Sequence, residues 1–382
     1  VRNRISKVLD ASSNDWPKDA RVIDVTGKTV MPGLIDLHTH LTYSDPPLST
    51  NDDGADPDAT LRASLRLRYY IESGITSVRD VASAGDVTFR LKEWVARNAI
   101  AGPRVFSVGQ LITAPGGHGS EGLSVNSTGS IRVETGAEAW RGAVRNMFLR
   151  GADAIKIASH FSRDEVKAAV DEAHALGLKV TCDCETFYIQ WAVEAGVDMI
   201  EHPLPRTDET IRLMAEKKVE ADPTVYIYTL LFALSGGGYF GSTSRRFDFN
   251  DSLNLNVMRR MHNAGIKMGV GTDLVSDWFR YLPAPYINEL KYFTAVGYTV
   301  PQALVAATKT NAEMLDMDDK LGTLEAGKLA DVLVVNGRPD ERLDDLTKVD
   351  VVIRDGWVVV EGGRVSIPKH VPRPAPGPYG VK

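Results

Sequence analysis

The chain has 382 residues, 43% of them hydrophobic and 25% charged, and a formal net charge of −6. It is too long for one ordinary core unless that core is a barrel wrapped in helices. The acidic balance gives no reason to expect a nucleic-acid partner, and no apolar run of about 18 residues is present to cross a membrane. The opening residues Val1-Arg2-Asn3-Arg4-Ile5 do not form a signal peptide, and without an initiator Met the native start is expected upstream.

In chain order, Arg21–Val30 alternates like a strand with a turn, and the apolar run Val30–Ile35 leads into Asp36-Leu37-His38-Thr39-His40. Strand side chains alternate with period 2, so His38 and His40 point to one side where a strand meets a loop. Imidazole is the commonest protein metal ligand, which makes this pair a candidate ligand set. Further strands are expected at Ile75–Arg79, Arg104–Val108, Ala152–Ile157, Leu178–Cys182, Val197–Glu201, Val219–Pro223 and Ile266–Thr272, after a first at Leu34–Leu37. Helical patterns lie between them, such as Arg163–Leu176 and Thr186–Ala195, and Gly74, Gly151, Gly177, Gly196 and Gly265 close helices before the next strand. This alternation predicts an α/β fold, a (β/α)8 TIM-type barrel over residues 31–319. A doubly wound open sheet is the rival, but it does not bring the ends of distant strands to one point.

Asp331–Val335 and Val351–Val360 are β-rich, with turns at Asn336-Gly337 and Asp355-Gly356. They predict a small β-sandwich built from both chain ends, residues 1–30 and 320–366. The Pro-rich tail 367–382 reads as an extended arm, free or docked on another subunit of a homo-oligomer. Cys182 and Cys184 lie two apart on one strand and are expected to be separate buried thiols, in keeping with a reducing, cytoplasmic setting.

The chemistry sits at strand ends. Lys156 interrupts the apolar strand Ala154-Ile155-Lys156-Ile157, and a bare buried ammonium is costly, so it must be paired, neutral or modified. Asp183 follows the fifth strand, His202 the sixth and Asp273 the eighth. On a barrel, the C-terminal ends of the strands are the face that builds active sites. His160 lies just past Lys156, whereas His174, His262 and His370 read as helix-surface or tail residues and Asp80 as an organiser of the second strand's loop. Tyr226, Phe232, Tyr239, Phe240, Trp278, Phe279 and Tyr281 give the mouth an aromatic character, and the Gly-rich Leu230–Ser244 stretch resembles a lid. Arg245, Arg246 and Arg280 offer instead a carboxylate-binding group.

The motifs Val30–His40, Gly74–Asp80, Ile200-Glu201-His202-Pro203, Gly271-Thr272-Asp273 and Gly322–Asp331 resemble those of the amidohydrolase superfamily. The resemblance covers nearly the whole chain. Gly116-Gly117-His118-Gly119 and Pro223-Thr224 with Tyr228 resemble the imidazolonepropionase-like and prolidase-like branch, near phenylurea and thiocarbamate hydrolases. It implies that His38, His40, Lys156 and Asp273 hold one divalent metal, with Lys156 carboxylated to bridge a second held by His202 and Asp183. Zinc is the first choice, with cobalt, manganese or iron as alternatives. It also implies that Asp273 moves a proton, and that His118 and Tyr228 steady the substrate oxyanion.

The family usually has a histidine where this chain has Asp183. That aspartate either ligates through oxygen and favours a harder metal, or is too short and leaves one metal, or is an introduced change. The resemblance implies a small-molecule hydrolase that cleaves a linear amide, urea or carbamate C–N bond by metal-activated hydroxide. The alternatives are an Xaa-Pro or Xaa-Arg type dipeptidase and a metal-poor relative that binds a ligand without turnover.

Overall fold

The structure is a computed structural model that describes residues 3–10, 12–43, 56–120, 129–235 and 250–366. Two sets of parallel strands alternate with helices. The first sheet pairs β2 (Leu34–Thr39), β3 (Ile75–Asp80) and β4 (Arg104–Ser107) in that order. The second contains β5 (Leu111–Thr113), β6 (Ile131–Val133), β7 (Ala154–Ala158), β8 (Lys179–Asp183), β9 (Met199–Glu201) and β10 (Glu220–Asp222), in the order β10-β9-β8-β7-β5-β6. The intervening helices include α1 (Asp56–Glu72), α2 (Val87–Ala96), α3 (Ala137–Arg150), α4 (Arg163–Ala175), α5 (Phe187–Ala195), α6 (Asp208–Lys217) and α7 (Val225–Ser235). No described helix is long and apolar enough to cross a membrane.

Local sequence accounts for these boundaries. Ser162 caps α4 through the Glu165 N–H while Glu165 accepts from the Ser162 N–H at 2.7 Å, a reciprocal capping box. The other Glu165 oxygen accepts the Gly136 N–H at 2.7 Å, so one carboxylate ties the starts of α3 and α4. Gly151 ends α3 with a left-handed backbone, φ 94°, where a side chain would be strained.

The segment expected as the eighth strand, 266–272, is not a regular strand. Ala221 of β10 donates to the Lys267 carbonyl at 3.0 Å, Gly269 donates to the Ala221 carbonyl at 2.9 Å, and Leu37 of β2 donates to the Val270 carbonyl at 3.0 Å. The ladder is displaced by Asn311, whose amide accepts the Val270 N–H at 2.8 Å and donates to the Val270 and Ile35 carbonyls at 2.9 and 2.6 Å. The segment therefore bonds to β10 on one side and β2 on the other through isolated bridges and a side chain.

Both chain ends meet in one antiparallel sheet, β1 (Thr29–Pro32) with β11 (Val332–Val335), β12 (Val349–Arg354), β13 (Trp357–Glu361) and β14 (Arg364–Val365). Residues 21–28 do not join it as a strand. The Asp355-Gly356 turn connects β12 to β13 with both residues at positive φ, 50° and 74°, the backbone a two-residue hairpin demands. The Pro-rich tail lies outside the described residues.

Cys182 and Cys184 correct the expectation of separate thiols. They are paired as a disulfide, with Cα atoms 5.3 Å apart and both residues fully buried. Cys184 lies one residue past the end of β8, and the 5.3 Å separation is one that a disulfide tolerates.

Arg104 joins the two regions. Its guanidinium meets Asp331 at 2.7 Å and Asp355 at 2.5 Å, all buried. Arg104→Ala leaves the buried Asp331 without its cation and Asp355 with only Arg354, 3.4 Å away, and should cost about 3–5 kcal/mol in urea unfolding. A loss below about 1 kcal/mol would show that the ion pairs do not hold the end sheet in place.

Candidate active site

Asp36 sets the geometry at the end of β2. Its carboxylate accepts the Thr272 N–H at 3.0 Å, the His38 N–H at 3.1 Å, the Thr272 hydroxyl at 2.6 Å and the Tyr70 hydroxyl at 3.1 Å. Two chain segments 236 residues apart are thereby clamped together, with the Asp273 N–H donating to the His38 carbonyl at 2.8 Å. Gly271 is obligatory there, because a Cβ would stand 2.3 Å from Asp222 Oδ2 and 2.7 Å from His38 Cβ.

The clamp brings His38, His40 and Asp273 together. Asp273 Oδ1 lies 3.1 Å from His40 Nε2 and 3.4 Å from His38 Nε2. Each of the three offers a ligand atom within 4.8 Å of the others. Lys156, 1% exposed, places Nζ 3.3 Å from His38 Nε2 and 3.5 Å from Asp183 Oδ2. Asp183 Oδ2 also meets His202 Nε2 at 3.1 Å and His118 Nε2 at 3.3 Å. His202 turns its Nδ1 to the Thr224 hydroxyl at 2.7 Å and toward Asp273 Oδ2 at 3.9 Å. Tyr228, on α7, lays its ring 4.9 Å from that of His202. All eight residues named for the site by sequence thus fall in one neighbourhood.

Electrostatics follow from burial. Burial holds the His38 imidazole well below its ordinary range, with Lys156 adding to the effect, and pushes His40 down as well. Burial raises the Asp183 carboxyl, but His118, His202 and Lys156 outweigh it and hold it well below the usual range. The same contest at Asp273 is won by His38, His40 and His202, which keep it low. The site therefore combines neutral imidazoles at His38 and His40 with ionised carboxylates at Asp183 and Asp273 at neutral pH.

Sequence reading missed the layer beneath. Glu201 takes the Nδ1 of His38 at 3.0 Å, and Arg79 donates to its other oxygen at 2.6 Å. Asp222 is fully buried 3.6 Å from Arg79, and burial together with Glu201 pushes its carboxyl well up. Glu201 and Asp222 both close inner strands, the same signal that flagged Asp183. Other expectations shift. His160 pairs with the buried Glu185 at 2.8 Å and stacks on Tyr188. Phe279 is buried under Arg66, and Arg280 pairs with Asp277 at 2.7 Å. Asp80 accepts the Leu41 N–H at 2.7 Å, as a loop organiser should. The side chain of Phe232, together with Tyr239, Phe240, Arg245, Arg246 and His370, lies outside the described residues. Of the expected lid, residues 230–235 continue α7 and 236–244 are likewise outside them.

The model of the amidohydrolase family matches residues 29–359. This chain belongs to the amidohydrolase family. With it comes a hydrolase acting on C–N bonds, and a TIM-type barrel with an extra domain. Imidazolonepropionase from Geobacillus sp. (strain WCH70) is 26% identical over 383 residues, covering 91% of this chain and 84% of that protein. Ochratoxinase from Aspergillus niger is 25% identical over 349 residues, covering 82% of this chain and 71% of that protein. The solved structure of a prolidase complexed with N-methylphosphonate-L-proline is 30% identical with a TM-score of 0.84, covering 94% of this chain and 93% of that one. These relatives match the branch expected from the glycine-rich His118 loop.

Asp36 gives a test of the clamp. Burial raises its carboxyl from 3.8 to about 6, so the folded chain binds the proton more tightly than the unfolded chain. Stability from this group is full below about 3.8 and is lost as pH rises through about 6, by up to about 3 kcal/mol. Urea unfolding of metal-free parent and Asp36→Asn should show their stability difference changing by that amount across this window. A pH-independent difference would contradict the buried clamp.

Proposed function

We propose that this amidohydrolase is a metal-dependent hydrolase of a linear amide, urea or carbamate bond in a small molecule. The observation that carries the reading is the convergence of His38, His40, Lys156, Asp183, His202 and Asp273, from the ends of β2, β7, β8 and β9 and from the segment after 266–272, at separations of 3.1 to 3.9 Å. The hydrogen bonds of residues 266–274 to both β10 and β2 support closure of the strands into a (β/α)8 barrel, with the site at its mouth.

The donors fit a divalent cation. His38 and His40 are held neutral with lone pairs available, Asp273 is ionised, and the buried His40 Nδ1 has no hydrogen-bond partner among the described residues. His38, His40, Lys156 and Asp273 would hold one ion, and Lys156, His202 and Asp183 a second. Zinc suits the nitrogen-rich set, and Asp183 adds an oxygen donor that cobalt, manganese or iron also accept. When bound, such an ion polarises the carbonyl and lowers the pKa of water. Carbon dioxide added to Lys156 Nζ, with loss of two protons from the ammonium, would turn it into an anionic carbamate. That change removes the cost of a cation packed against His38.

In this reading water attacks the carbonyl carbon. Asp273 takes its proton and delivers it to the leaving nitrogen. His118 and Tyr228 donate to the developing oxyanion, and the 29% exposure of the His118 side chain leaves it open to substrate. A second reading, an Xaa-Pro type dipeptidase, is favoured by the likeness to the solved prolidase.

The test is hydrolysis of a panel of Xaa-Pro dipeptides, N-acyl amino acids, phenylureas and thiocarbamates by zinc-loaded and chelator-stripped protein. Turnover should vanish on stripping and return with zinc, and full turnover without metal would contradict the reading. His118→Ala and Tyr228→Phe should each lower kcat by about 100- to 1000-fold with little change in KM. An unchanged kcat in both would remove them from the oxyanion role.

A further inference from the structure

Beneath the site lies a network that the hydrolytic reading does not use. His38 turns Nε2 toward Lys156 Nζ and Asp273, at 3.3 and 3.4 Å, and Nδ1 toward Glu201 Oε2 at 3.0 Å. His38 and Glu201 are both fully buried. The other oxygen of Glu201, Oε1, receives Arg79 Nη2 at 2.6 Å and the Thr181 hydroxyl. Arg79 is itself anchored, its Nε donating to the Leu37 carbonyl at 2.5 Å, one residue before His38.

Donors saturate Oε1, so Oε2 is the acceptor that faces His38. A carboxylate oxygen accepts only, and its neighbour at 3.0 Å must then bring a hydrogen. We infer that Glu201 is a positioning residue, fixed by Arg79 and Thr181, which holds His38 in the Nδ1–H tautomer and leaves the Nε2 lone pair facing Lys156 and Asp273. A carboxylate behind a ligating histidine orients the ring and raises its basicity. The inference deepens the metal-dependent reading and rests on it for its functional meaning. The four residues come from β2, β3, β8 and β9, so one charge-assisted chain couples four strand ends to the orientation of one imidazole.

Glu201→Gln separates this role from simple packing. The amide keeps the shape, but Arg79 and Thr181 require its oxygen at the Oε1 position, which points the NH2 at His38 Nδ1. The proton of His38 must then move to Nε2, onto the lone pair meant for metal. Two readouts follow. Zinc affinity, measured by chelator competition, should weaken about 10- to 100-fold in Glu201→Gln. Nitrogen-15 spectra of the metal-free proteins, with His38 assigned by loss of its signal in His38→Asn, should show Nδ1–H in the parent and Nε2–H in the variant. Equal zinc affinity, or a parent His38 protonated at Nε2, overturns the inference. A parent that takes no zinc sinks the metal reading instead, while the tautomer still decides this one. The parent spectrum alone is decisive if Glu201→Gln does not fold.

Discussion

Everything at the strand ends depends on how buried charge is balanced between Lys156, four imidazoles and the carboxylates of Asp183 and Asp273. Lys156 and Asp183 are buried, and Asp273 is only partly exposed. Isolated, each of these ions would be expelled or neutralised by desolvation. Packed together, His118, His202 and Lys156 hold Asp183 ionised and the neighbouring histidines hold Asp273 ionised, while burial keeps His38 and His40 neutral. The result is a nest of lone pairs and negative oxygens already in place, which is the preorganisation that electrostatic catalysis and metal binding both require.

Asp183 is the point where this chain departs from the pattern that the family resemblance implies. A shorter, anionic side chain stands where a neutral imidazole is customary. The structure answers part of the resulting question, because Asp183 is not orphaned: it touches His118, His202 and Lys156 through a single oxygen, Oδ2. The flanking cysteines point away into the core, so strand parity, not chance, turns the carboxylate inward. A carboxylate there adds a negative charge to a site rich in nitrogen, and would compensate a second cation more fully than histidine does.

Much of this was legible in the sequence. Period-2 alternation, helix-ending glycines and residues such as His202 and Asp273 placed after apolar runs carry local signals, and local signals survive without coordinates. The eighth segment did not form a regular strand because Asn311, some forty residues downstream, occupies its backbone groups; no periodicity encodes that. Glu201 and Arg79 were within quoted motifs, yet their meeting depends on a contact between residues 122 apart. The Cys182–Cys184 disulfide is not encoded in the spacing, because it depends on the chain bringing their Cα atoms to 5.3 Å. Phe279 looked like a mouth aromatic and instead packs under the Arg66 guanidinium, since a short turn buries what sequence alone leaves exposed.

The central claim, a divalent-metal centre in which Asp183 works as a ligand, is tested most directly by elemental analysis of metal per chain in the parent and in Asp183→His. The account predicts two equivalents in the parent and no further gain in the variant. One equivalent that rises to two with histidine would remove Asp183 from the ligand set, and a parent that holds no metal would contradict the account as a whole.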